Sequence, residues 1–232
     1  MYYGFDPTII ILIPAIIFTA IAQGKVKKAY TTYSRVPCRK GITGEQVARM
    51  ILDNNNMGHV PIEIIAGQLT DNYDPTKDVM HLSQDIARGS SIASVSVAAH
   101  ESGHAIQDGK NYGFLKFRVA MVPVVNLVSG ASWPLLIIGL CLVAAGSMWG
   151  NLLFDLGVIF FAVVVLFHTI TLPVEFNASN RAIKQLIELN VIDESEVIGC
   201  KKVLSAAAMT YVAALATSIL NLVRILMIRG NN

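Results

Sequence analysis

Charge is what this sequence has least of. Only 15% of its 232 residues are Asp, Glu, Lys or Arg, against about 25% in an ordinary soluble domain, and 53% are hydrophobic. The apolar residues lie in long unbroken runs, which excludes disorder, a fibre and a water-soluble enzyme with a single polar surface. A strong excess of positive charge is missing too. Eighteen Lys and Arg face 16 Asp and Glu, so the chain lacks the basic patch that nucleic-acid phosphates require. Cysteine is scarce: Cys38, Cys141 and Cys200 stand far apart without a CxxC pair, which argues against a disulfide framework or a thiolate metal site. Finally, no basic residue precedes the first apolar run, and three lysines follow it. That order fits a retained anchor rather than a cleaved secretory signal.

Four runs approach the roughly 20 apolar residues that cross a bilayer: 7–23, 119–146, 152–172 and 203–228. The first contains Pro14 as a candidate kink, with Tyr2, Tyr3 and Phe5 as candidate interfacial anchors. The second can bend at Pro123 and Pro134. Twelve of the 18 basic residues fall between Lys25 and Arg118 and four more between Arg181 and Lys202. The positive-inside rule therefore puts both polar segments in the cytoplasm and both termini outside. The expected fold is a mainly α integral membrane protein with about four transmembrane helices and a small cytoplasmic α+β region. Its parts are an anchor over 1–23, a cytoplasmic region over 24–118, a transmembrane hairpin over 119–172, a cytoplasmic helix within 173–202 and a last transmembrane helix over 203–232.

Within 24–118, the basic stretch KVKKAYTTYSR suits anionic headgroups. Thr43 with Glu45 and Gln46 predicts the start of an amphipathic helix carrying Val47, Met50 and Ile51. VPIEIIAG and VMHL predict two short strands, with DNYDPTKD as the turn between them. The strand VMHLS is expected to offer an edge to an extended partner. A helix from Ser90 or Ser91 to Gln107 follows, with Gly109 as its stop.

That last helix contains VAAHESGHAIQ. Histidines four residues apart share one helix face, so His100 and His104 can reach a single zinc ion. Glu101 begins on the adjoining face, from which a carboxylate can take a proton from a metal-activated water and pass it to a leaving amine. This is the H-E-x-x-H pattern. Its flanks are small or apolar, so the helix is expected to be buried, where an unpartnered His-Glu-His face is costly. A catalytic zinc site takes a third protein ligand, and Glu175 in LPVEFNASNRA is a candidate. Two spans separate it from His104, so the chain returns to the same side of the membrane.

The order of ITGEQVARMILDNN, GQLTDNYDPTKDVMHLS, SIASVSVAAHESGHAIQ, LPVEFNASNRA and AAAMTYVAALA resembles the YugP-type neutral zinc metallopeptidases, which are related in site logic to the HtpX class. The resemblance implies a gluzincin-like site with one zinc ion per chain, held by His100, His104 and Glu175, and Glu101 as general base. It implies cleavage of membrane-associated proteins or peptides at the surface of the cytoplasmic membrane. Related gluzincins often have an acidic residue four positions after the ligand Glu. Here that position is Ser179, with Asn177 and Asn180 beside it, which leaves the outer hydrogen bonds of the site open.

His168, in the third span, reads as a structural histidine or as a group acting on substrate. Tyr211 reads as a packed tyrosine or as a donor to a developing oxyanion. His59 and His81 read as surface or half-buried histidines, and Asp155 as a solvated residue at the outer interface. The rival to a peptidase is a proteolytically silent scaffold or adaptor whose zinc staples cytoplasmic helices to the bundle. An ion transporter would need facing polar groups within the spans, which are nearly empty of them. Lipid is the expected surround, and an oligomer or regulatory membrane partner is left open.

Overall fold

Two polar side chains begin the helices that matter most. In the computed structural model, which describes residues 7–230, Thr43 and Gln46 form a full capping box at the start of α2 (Gly44–Asn54). Ser91 accepts from the Ser94 amide at the start of α4 (Ile92–Gly109). The remaining helices are α1 (Leu12–Tyr33), α3 (Gln84–Arg88), α5 (Gly113–Ala144), α6 (Trp149–Glu188) and α7 (Glu194–Gly230); the strands are β1 (Ile62–Ile65), β2 (Asn72–Asp74) and β3 (Val79–Ser83). A 3₁₀ turn over Pro7–Ile11 leads into α1. Pro14 therefore falls in the first α-helical turn, where a missing N–H is tolerated. Tyr2, Tyr3 and Phe5 lie outside the described residues.

Four helical stretches are long and apolar enough to cross a membrane: Thr8–Tyr33, Gly113–Ala144, Trp149–Glu188 and Glu194–Gly230. The last two extend well past their apolar runs. The segment 173–202, expected as one helix, is instead the end of α6, a turn, and the start of α7. Pro173 does not break α6, and Asn190, at a φ of 52°, turns the chain.

The contacts divide the chain into two compact units. One comprises the residues up to Ile21, Phe117–Thr171 and those from Tyr211 on. In it, Leu136, Phe154, Phe161 and Ile225 form a buried cluster. A Cβ on Gly139 would sit 2.5 Å from the Phe154 amide nitrogen, so α5 and α6 approach at a position only glycine permits. Outward side chains such as Leu127, Ile137 and Ile159 are exposed. Asp155, expected to be merely solvated, receives two hydrogen bonds from Arg229, at 2.8 and 3.1 Å. A helix-end cation has found the nearest anion.

The other unit comprises Ala22–Lys116 and Leu172–Thr210. Its sheet has the order β1-β3-β2, with β1 parallel and β2 antiparallel to β3. β2 arises from the NYD of the expected turn. Asn and Asp disguise the strand locally, while burial of Tyr73 among neighbouring side chains selects it. β3 lies in the middle, so VMHLS offers no free edge, contrary to expectation. Its apolar residues Val79, Met80 and Leu82 are all buried, as suits a central strand.

α4 runs through the interior of this unit, with 14 of its 18 residues buried. Ile92, Val95, Ala99 and Ile106 pack with Val47, Ile51, Leu186 and Leu204, and Ala98 and Ala105 pack with Met80, Leu82 and Ile86. Each fully buried Val, Leu or Ile contributes about 1.5–3 kcal/mol relative to an exposed one. The helix is enclosed by protein, as its small and apolar flanks led one to expect. The small residues make this possible: a Cβ on Gly103 would lie 2.5 Å from the Ala178 carbonyl oxygen, so α4 and α6 touch backbone to backbone. Ser96 and Ser102 return their hydroxyls to the carbonyls of Ile92 and Ala98, which satisfies them without water.

Candidate functional site

The Gly103–Ala178 approach sets the height at which α4 and α6 face one another, and the polar residues gather there. His100 and His104 stand one turn apart on α4, their rings 4.8 Å apart and nearly perpendicular. From α6, one oxygen of Glu175 lies 3.3 Å from His100 Nε2 and 3.5 Å from His104 Nε2. All three candidate ligand atoms fall within 4.8 Å of one another. Zinc bonds of about 2.0–2.1 Å arranged tetrahedrally separate neighbouring ligand atoms by about 3.4 Å. The cluster therefore has the spacing, and two imidazoles and a carboxylate have the donor chemistry, for one such ion.

Burial alone would raise the Glu175 carboxyl. Hydrogen bonds from His100 and His104, reinforced by their charge, outweigh it and hold the group below the usual carboxylate range. Glu101 goes the other way. Burial pushes it up to about 7, the Glu175 and Asp71 charges add to the rise, and the His100 charge and the Tyr73 amide oppose it. Its Oε2 accepts the Tyr73 amide hydrogen at 3.0 Å, on the side of β2 turned away from β3. The Tyr73 hydroxyl lies 2.8 Å from Asp78 Oδ1 and 3.0 Å from Asp108 Oδ2, which anchors this strand beside the end of α4.

Around the three converging side chains, Ser179 places its Oγ 3.2 Å from His100 Nδ1. His104 Nδ1 lies 3.0 Å from Gln107 Oε1. Asn177 is linked to the cluster at one remove, through Gln107, and also accepts from Arg181. Sequence reasoning did not single out Gln107. Its spacing of three from His104 on one helix was the available signal, and its apolar surroundings hid it. Asn180 is exposed and lines a groove with Phe176, Ser179, Ile183 and Ile187, and has no hydrogen bond to the histidines among the described residues. His168 and Tyr211 belong to the four-helix unit. His59 pairs with Asp78 and His81 with Glu63, neither as a member of the cluster.

Comparison with known proteins agrees with this chemistry. The family described as "Putative neutral zinc metallopeptidase" matches residues 8–230. A protein of Bacillus subtilis (strain 168) called "Putative membrane protease YugP" is 48% identical over 208 residues, 89% of each chain. No solved structure matches. With four apolar helices of spanning length, the protein is a membrane protein, and over nearly its whole length the chain belongs to the neutral zinc metallopeptidase family.

Proposed function

We propose that this protein is a zinc-dependent endopeptidase of the cytoplasmic membrane, with a gluzincin-like site formed by His100, His104, Glu175 and Glu101 on the cytoplasmic side. The observation that carries it is the pair of 3.3 and 3.5 Å separations converging on one Glu175 oxygen. When bound, zinc supplies a Lewis acid that polarises a carbonyl and lowers the pKa of water.

The chain does the rest. His100 and His104 hold the cation from one rigid helix, and Glu175 adds the negative charge from a second. Glu101, poised near neutrality, takes a proton from the attacking water and returns it to the leaving amine. The substrates are membrane or juxtamembrane protein segments, since the third ligand follows an apolar run by only a few residues. Because β3 is enclosed, an extended segment would have to use an outer edge of the sheet.

Purified wild type should contain stoichiometric zinc, lost in both His104→Ala and Glu175→Ala. Glu101→Gln should keep the metal and lose cleavage of a casein-type substrate. Zinc retained in Glu175→Ala would remove it from the ligand set. A second reading, a zinc-stapled scaffold without proteolysis, has one observation in its favour: the Glu175 and His104 side chains are only 2% and 9% exposed, as structural sites are. Turnover by the wild type, abolished by chelation and restored by zinc, would dismiss it.

A further inference from the structure

His104 sits at one end of a chain of hydrogen bonds whose direction is fixed at the other. Arg181 Nε donates to Asn177 Oδ1 at 2.7 Å, and a guanidinium can do nothing but donate. That sets Asn177 with its oxygen inward. Gln107 Nε2 donates to the same oxygen at 3.0 Å and to the Val174 carbonyl at 2.7 Å. A backbone carbonyl can only accept, so two acceptors hold the Gln107 amide nitrogen on that side. Its oxygen is thereby turned to His104 Nδ1, 3.0 Å away, where it can only accept. The proton must be on Nδ1, and Nε2 is the nitrogen presented to Glu175. His100 has no such constraint, since the Ser179 hydroxyl at its Nδ1 can donate or accept.

We infer that Gln107, oriented by Asn177 and Arg181, is the positioning residue that presets His104 as a cation ligand through Nε2 and ties it to the backbone beside Glu175. This rests on the reading of His104 and Glu175 as zinc ligands. Gln107 is fully buried and spans α4 and α6 at the residue preceding that glutamate, so it registers the two ligand-bearing helices as well as one imidazole. Partners of this kind are worth about 10–100-fold in metal affinity.

The test uses the full chain in detergent. Zinc affinity is measured by chelator competition, and the His104 Nδ1 proton is followed by ¹⁵N histidine NMR of the zinc-loaded protein, which has five histidines to assign. Gln107→Leu should bind zinc about 10–100-fold more weakly, with the Nδ1 proton exchanging faster. Asn177→Asp should stay near wild type, because a carboxylate still accepts from both Arg181 and Gln107. Should Gln107→Leu fail to fold, Gln107→Met takes its place: it keeps the length of the side chain but neither accepts from His104 nor donates to Val174, and it should weaken zinc and speed exchange at His104 in the same way. Wild-type affinity and exchange in Gln107→Leu, or in Gln107→Met where that variant decides, would overturn the inference. A His104→Ala protein that still binds zinc as tightly would instead overturn the ligand assignment.

Discussion

Glu101 and Glu175 are the same residue type within one small cluster, yet their surroundings drive them apart. Glu175 meets two imidazoles, while Glu101 is buried with the Tyr73 amide hydrogen on one oxygen. Glu175→Gln keeps the shape and removes the charge, so it should abolish stoichiometric zinc in the purified protein, measured by elemental analysis. Ser179 is a gentler case. Ser179→Ala removes the hydroxyl at His100 Nδ1 and should weaken zinc about tenfold in chelator competition, with folding intact. Ser179 thus serves His100 with a neutral hydrogen-bonding group.

At the scale of helices and strands, close approach decides the site. Gly103→Ala would drive a methyl group into the Ala178 carbonyl and should cost about 1–3 kcal/mol of stability, read in denaturation, together with weaker zinc binding because α6 carries Glu175. By contrast Thr43→Ala, at the α2 cap, should cost about 1 kcal/mol and leave zinc affinity unchanged. What could be read from the chain alone follows the same division. Capping residues, four apolar runs and the HESGH spacing are local signals, and they located α2, α4 and the four long helices. β2 was hidden because its Asn and Asp look like a turn while Tyr73 earns its place through distant contacts. Gln107 was hidden because, beyond its spacing of three from His104, the partners that orient it lie 67 and 70 residues away. The continuity of α6 through Pro173 was also illegible, since proline ends most helices.

Across the whole molecule, 16 of the 18 basic residues fall between Lys25 and Arg118 or between Arg181 and Lys202. A membrane-impermeant maleimide should therefore fail to label a single cysteine at Gln68 in intact cells and label it after lysis. A cysteine at Gly146 should be labelled in both. The reverse pattern would put the histidine cluster outside the cell.

α6 is a single helix of 40 residues, apolar at its start and carrying Glu175 beyond. A continuous piece of chain that holds His100, His104 and Glu175 must also hold the two apolar runs between them. Biochemistry on this protein belongs in detergent, nanodiscs or vesicles from the first purification step.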